Sequence, residues 1–558
     1  MKKIFLLTIF LFLLFFCPVL TFCQDKLVST LAEEAQREIQ ILKQQEIPAY
    51  YISYRVDEIS GHTISSSFGS LSYSNGGKTS RLTVCVRVGD PQFDNYHPAR
   101  GGFNFSMPVE FPSADEPYAI KQVLWNATSE AYQQAVSKYA AAKARVSTKV
   151  QDEDKSPDFT LEEAKNYIEP PIKPDDIKFD IPYWENRLKK YSAVFLKDSA
   201  IFNGTSTCSF SVDRKYFVSS DGDKIAQNST SIRVGFNGTI KAKDGMEMPL
   251  NESYFASKPN GLPSDEIMTK DIKTLVNDLI ALKTASVAEP YSGPALLTGK
   301  AAGVFFHEIF GHRVEGQRLK SEDDAQTFKK KINEQVLPLT LSIFCDPQIK
   351  AYAQMELSGS YVYDEQGSKG QHVDIVKDGI LKDFLMSRTP INNFPGSNGH
   401  GRAMAGMQPT ARQSNLIVET SQPKTNEELR TELIRLIKEQ NKTYGYLFDK
   451  VVGGFTSTGR FMPNAFNITP TLVYKVYADG RPDEIVRGVD LVGTPLAIFS
   501  QIDQAGGKTE TFNGFCGAES GSIPVACVSP MVLVKVIETQ KKSKSQEKPI
   551  ILPRPDME

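Results

Sequence analysis

The chain has 558 residues, a formal net charge of −2, 40% hydrophobic and 23% charged residues. It is too long for one ordinary core, so two large domains are expected. Its Lys and Arg are matched by Asp and Glu, and with no basic excess to neutralise phosphates the composition argues against a nucleic-acid partner.

Lys2 and Lys3 precede an apolar run from Ile4 to about Phe22, and the chain turns polar at Gln24-Asp25-Lys26. That order predicts a secretory signal peptide over 1–23 and an exported protein, periplasmic or extracellular. Left uncleaved, the run is nearly long enough to act as a membrane anchor. Five cysteines would remain after cleavage: Cys85, Cys208, Cys345, Cys516 and Cys527. They are sparse and irregular, unlike a disulfide framework, and the odd count leaves one unpaired within the chain. Sequons at Asn203 and Asn237 matter only in a host that glycosylates.

The expected N-terminal α/β-type domain spans 24–290. Thr30 with Glu33 reads as a capping box, and Leu31, Ala35, Ile39 and Leu42 share one helix face. Tyr50, Ile52 and Tyr54 alternate as in a strand, and Ser74-Asn75-Gly76-Gly77 reads as a hairpin turn before Leu82–Val88. A long helix follows near Ile120–Val146. Connectors are expected at Gln151–Pro157 and Pro170–Asp176, and strands at Phe195–Phe202, Thr207–Val212 and Ser231–Phe236. Another helix is predicted over Ser264–Ala285. The Pro- and Gly-containing break from Glu289 to Pro294 marks the domain boundary. Beyond it, 291–540 is expected to form a β-rich metal-binding domain with one helix near Glu427–Glu439, and 541–558 a disordered tail. The fold class is therefore α+β.

The segment Ala301–His312 reads AAGVFFHEIFGH and holds two of only six histidines in the chain. A chance His-Glu-x-x-x-His is expected in roughly one such chain in a few hundred. Neutral imidazoles are good zinc ligands, and a catalytic zinc keeps one position open. His307 and His312 are the candidate ligands of one zinc ion, and Glu308 the carboxylate placed to carry a proton. Burying two His and a Glu merely as structural residues would be costly. Five residues of regular helix separate the imidazoles by roughly 140°, so a local irregularity is predicted at Phe310–Gly311. Glu315, three residues beyond His312, suits a partner that orients that imidazole. A third ligand must come from a distant Cys, Asp, Glu or His.

With this spacing the segment resembles the TldD/PmbA family of metallopeptidases, in its TldD-like branch. The resemblance continues through Asn398-Gly399-His400-Gly401-Arg402, then Pro409-Thr410-Ala411-Arg412-Gln413-Ser414-Asn415. It ends on Cys516-Gly517 with Ser522-Ile523-Pro524-Val525, and covers about Gly293–Glu538. It implies that a Cys thiolate, here Cys516, completes the zinc site. Cys527 is then a small buried hydrophobe. It also implies hydrolysis of small or unfolded peptide substrates and a dimer, either with itself or with a PmbA-like subunit. TldD-like proteins are generally cytoplasmic, so the signal segment departs from the pattern. His400, Arg402 and Arg412 are candidates for binding a peptide carboxylate or an oxyanion, or else are solvated loop cations. His62, His97 and His372 have no supporting cluster.

Two other readings compete. Glu427-Glu428-Leu429-Arg430-Thr431-Glu432 fits the third-ligand motif of dipeptidyl-peptidase III enzymes, although such runs are usually a solvated helix face. A non-catalytic envelope protein with a structural zinc would bind metal yet have no need for Glu308.

Overall fold

The computed structural model describes residues 25–97, 109–112, 116–146, 154–320, 324, 326–459 and 466–542. The signal segment, residues 151–153 of the first connector and all but the start of the expected tail lie outside the described residues.

Helix α1 (Lys26–Leu42) begins earlier than its capping-box signal. Asp25 is the N-cap, accepting from the amides of Leu27 and Val28 at 3.1 and 3.3 Å, while the Thr30 hydroxyl turns back onto the Lys26 carbonyl. An Asp caps as well as a Thr and adds a turn that buries Val28. Strands β1 (Ala49–Ser67) and β2 (Ser70–Asp90) form one long hairpin whose turn lies at Phe68-Gly69, both at positive φ. The Ser74–Gly77 turn is therefore corrected: Gly76 sits mid-strand opposite His62, whose ring lies where a Cβ would be and bonds Ser74. Helix α2 (Pro117–Val146) covers β2, and α3 (Ile181–Ala193) leads into β3 (Ile201–Ser219). The stretch Phe195–Phe202 is only partly strand. Val194–Lys197 is a 3₁₀ turn that sends the Phe195 ring over Gly204 and Gly238 as a plug. Strands β4 (Lys224–Lys241) and β5 (Glu247–Ala256), then α4 (Asp265–Thr284), complete this half.

The N-terminal sheet has eight strands, its long members ordered β2-β1-β3-β4-β5 and antiparallel throughout. Helices α1 and α2 share a core with β1 and β2, and α3 and α4 share another with β3, β4 and β5.

The second sheet has twelve strands and mixed direction. Its centre is β13 (Gly521–Lys541), and the other main members are β6 (Tyr291–Leu297), β7 (Leu341–Cys345), β8 (Val373–Lys377), β9 (Asn415–Thr420), β10 (Tyr444–Thr456), β11 (Phe466–Tyr477) and β12 (Ile502–Ala518). Strand β13 pairs antiparallel with β6 and β12 and parallel with β9. Helix α5 (Gly299–Ile309) and helix α6 (Asn426–Glu439) pack on opposite faces. Ala295, Leu297, Val532 and Val534 point into the core under α5, whereas the alternate residues Leu296 and Leu533 join Leu429, Leu433 and Ile437 of α6.

The halves are joined by polar contacts. Arg55 of β1 donates to the Met404 carbonyl at 2.7 Å, the Gly406 amide donates to Thr83 at 2.9 Å, and Gln227 of β4 donates to the Tyr363 carbonyl at 2.6 Å. Among the described residues no helix is long and apolar enough to cross a membrane.

Candidate metal centre

Every residue of α5 from Ala301 to Ile309 is buried, and the helix is apolar nearly all round, as a helix sunk into a core must be. Phe305 meets Phe466 edge-on, Phe306 meets Phe499, and Phe310 stacks on Phe499 with centroids 5.0 Å apart. Each buried ring contributes about 2–3 kcal/mol of transfer free energy, so His307 and Glu308 ride on a firmly held element.

The helix breaks where the five-residue spacing requires it. Phe310 leaves the helical region (φ −121°, ψ −54°), and Gly311–Arg313 continue as a 3₁₀ turn. Gly311 is there for close approach: a Cβ would overlap the Gln413 side-chain amide. Arg313 ties down the frayed end, donating to the Glu308 carbonyl and the Thr456 hydroxyl, both at 2.8 Å. The break turns His312 back toward His307, and the rings stand 4.9 Å apart at 80°.

Cys516, near the end of β12, arrives from the opposite side. Its sulfur lies 3.2 Å from His307 Nε2 and 3.3 Å from His312 Nε2. The three ligand atoms fall within 4.8 Å of one another, all on buried residues, the one such cluster found among the described residues. A tetrahedral zinc with ordinary bond lengths separates N and S ligands by about 3.6 Å, so the donor set is already near the span an ion needs. The electrostatics agree. Burial disfavours a charged Cys516, yet the two imidazoles hold its thiol well below the ordinary range. Burial likewise opposes protonation of His307 and His312. The Cys516 and Cys527 sulfurs nonetheless raise His307 well above its usual value, and Glu315 with Cys516 raises His312 to about 9. A buried thiolate that draws protons onto its neighbours is a site that favours a cation.

The Nδ1 atoms face different partners. His312 Nδ1 lies 3.2 Å from Glu315 Oε2, the carboxylate singled out for that task. Glu315 is fully buried, and against that burial His312 and Arg318 hold it down to about 2. His307 Nδ1 instead meets the Cys527 sulfur at 3.6 Å. Cys527 is buried, as expected, but it also backs a ligand, which no motif announced. None of the five described cysteines is in a disulfide.

Glu308 is 7% exposed, and its carboxylate makes no hydrogen bond or ion pair to a described residue. Gly454 of β10 packs against it so closely that a Cβ would lie 2.5 Å from Glu308 Cγ.

The three residues read as possible substrate binders or solvated cations lie in the interior, which removes the solvated reading. His400 and Arg412 are fully buried and Arg402 is 4% exposed. His400 is held by Asn398 and Ser414, and burial with the nearby Arg402 lowers it to about 3. Arg402 donates to the carbonyls of Gln413 and Pro524, both at 2.8 Å. Arg412 donates to the Cys516 carbonyl at 2.7 Å and the Ser520 hydroxyl at 2.8 Å. Most of these donors are held by scaffold groups, so the residues are not solvated, while Arg402 Nε and Arg412 Nε make no hydrogen bond to a described residue. His62, His97 and His372 pair with Ser74, Asp158, and Asp346 with Asp374, and none joins the cluster. Glu428 closes the cap of α6 by accepting from the Thr425 amide, which removes the dipeptidyl-peptidase III reading.

Residues 290–541 match the family described as PmbA/TldA metallopeptidase C-terminal domain. An Archaeoglobus fulgidus protein named a metalloprotease is 31% identical over 257 residues, 45% of this chain. The chain spans 55% of that relative's length. A Saccharolobus solfataricus protein named a zinc metalloprotease TldD homolog is 23% identical, over 58% of this chain and 68% of the relative. The fold is that of the crystal structure of TldE from Thermococcus kodakarensis, with a TM-score of 0.62 at 13% identity over 91% of this chain and 99% of that one. By its C-terminal domain, residues 290–541, the chain is a member of the TldD/PmbA family.

Proposed function

We propose that the protein is an exported zinc-dependent peptidase acting on peptides or unfolded polypeptides, with one ion held by His307, His312 and Cys516. The observation that carries this reading is Glu308, 7% exposed and next to His307 in the chain, whose carboxylate makes no hydrogen bond or ion pair to a described residue. A carboxylate left free beside a metal centre can carry a proton. A purely structural metal would give it no such task. Zinc, when bound, supplies Lewis acidity that polarises a carbonyl and acidifies water. Glu308 would accept a proton from water and deliver it to the departing amine nitrogen. Glu315 holds the His312 ring, and Arg313 holds the Glu308 backbone.

The substrate class is supported by β10. It pairs with β6 only over Tyr446–Phe448, and past Lys450 the described residues pair it on one side alone, with β11. The open edge runs by Glu308 at Gly454. Backbone pairing there would accept an extended chain whatever its sequence, and would reject folded proteins. Export rests on the Lys2-Lys3 and Ile4–Phe22 pattern. A dimer, with itself or with a PmbA-like subunit, rests on the family and on the TldE-named neighbour.

The test is mass-spectrometric cleavage of a mixed peptide library by residues 24–558 beside Glu308→Ala. Cleavage by the unchanged chain alone, with zinc retained in both, is the expected result. Equal inactivity of both zinc-loaded proteins, with a PmbA-like subunit also supplied, would favour a structural metal.

A further inference from the structure

The hairpin that carries Cys516 is tied to the segment just past His312 by side chains outside the ligand set. Strands β12 and β13 turn at Glu519-Ser520, with Ala518 opposite Gly521. Glu519 Oε2 accepts from Arg318 Nη2 and Glu519 Oε1 from Gln317 Nε2, both at 3.0 Å. Arg318 Nε in turn donates to Glu315 Oε2 at 2.8 Å, the oxygen that faces His312 Nδ1. A second guanidinium runs parallel. Arg412 Nε lies 3.6 Å from Glu315 Oε1, while its other nitrogens hold the Cys516 carbonyl and Ser520. Two carboxylates and two guanidiniums thus close a loop through His312 and Cys516, residues 204 positions apart in the chain.

We propose that Glu519 and Arg318 are positioning residues that fix the Cys516 hairpin against the His312 turn, setting the thiolate-to-imidazole spacing before an ion enters. This rests on the three-ligand reading above. Arg412 and the Met404 amide, which donates to the Ser520 carbonyl at 2.9 Å, also hold the hairpin end, and Glu519 adds the tie to Arg318 and Gln317. Gly517 has open space around its Cα, and Phe515 is 60% exposed. The Glu519 side chain is 27% exposed, so it serves no core-filling purpose. A charge-assisted hydrogen bond from Arg318, with Gln317 on the other carboxylate oxygen, fixes the Glu519 side chain as well as adding energy. An orienting group beyond the ligands changes metal affinity by about 10- to 100-fold when lost.

The experiment measures zinc dissociation constants of the full chain by chelator competition, for the unchanged protein, Glu519→Ala, Glu519→Gln and Arg318→Lys. Cobalt replacement then reads the thiolate charge-transfer band. Glu519→Ala is expected to weaken zinc by about 10-fold or more and to diminish that band, with the metal-free melting temperature nearly unchanged. Glu519→Gln keeps an acceptor for Arg318 and should recover part of the loss. If Glu519→Ala does not fold, Glu519→Gln and Arg318→Lys carry the test. Zinc affinity and cobalt spectra unchanged in every folded variant would overturn the positioning role while leaving the metal centre intact. Failure of the unchanged chain to bind zinc would instead sink the metal centre and this role with it.

Discussion

The two sheets hold chemically similar residues and put them to different use. In the N-terminal sheet the long strands are mostly joined as hairpins, β1 with β2, β3 with β4 and β4 with β5. Of the histidines in this half, His62 meets Ser74 and His97 meets Asp158, and neither joins the metal-type cluster. In the C-terminal sheet β13 takes neighbours from four separate stretches of chain, β6, β9, β12 and Val489–Gly493. His307 and Cys516, 209 positions apart, come into contact because of it. A sheet of hairpins repeats local order, whereas a sheet with crossings brings distant residues to one place.

The sharpest break of that comparison is a cysteine exchange. Cys516→Ala should lose bound zinc after dialysis and with it nearly all peptide cleavage, by metal analysis and turnover. Cys208→Ala, equally buried in the other sheet, should keep its zinc and lose only about 1 kcal/mol of stability. Next comes Glu308→Ala, which should retain zinc and lower turnover by about 10²–10⁴-fold, the range of a lost general base. His62→Ala should leave turnover within about twofold.

Glycines sharpen the contrast at a smaller scale. Gly311→Ala drives a methyl into Gln413 and should cost about 1–3 kcal/mol in a thermal melt. Gly77→Ala meets open space in β2 and should change stability by less than about 0.5 kcal/mol. The smallest effect is a slope with pH. The folded state lowers His400 to about 3, below its ordinary value of 6.5, so the native chain binds fewer protons than the unfolded one between those limits. Its contribution is complete above pH 6.5 and is lost as pH falls toward 3. His400→Gln should flatten the stability profile there by at most about 1.4 kcal/mol per pH unit. An unchanged slope would mean that burial and the nearby Arg402 do not keep the ring neutral.

Much of the site was legible because histidines are scarce. His307, Glu308 and His312 stand out by spacing alone, and the same spacing required the break found at Phe310. Cys516 was reachable only through resemblance, since nothing local distinguishes it from Cys527. Burial was the hidden variable elsewhere. Arg402 and Arg412 read as surface cations because guanidiniums usually are, and only the folded sheet supplies the carbonyls that let them be buried. Glu519 carried no signal at all, because its meaning depends on a hairpin folding back over Arg318. In the N-terminal half Asn75-Gly76 has the chemistry of a turn, and the pairing of β1 with both its neighbours overrides it.

The central place of β13 also orders events in time. A chain emerging from its N-terminus presents both imidazoles long before the thiolate, and the strand that would seat them is the last long one made. Contacts of such sequence separation form late and slowly. The first sheet can close early on its own hairpins, while the second has no completed centre until almost all of the chain is at hand. Any ion captured by three ligands is therefore captured at the end of folding, wherever folding is finished, and its supply in that compartment decides which metal the protein carries.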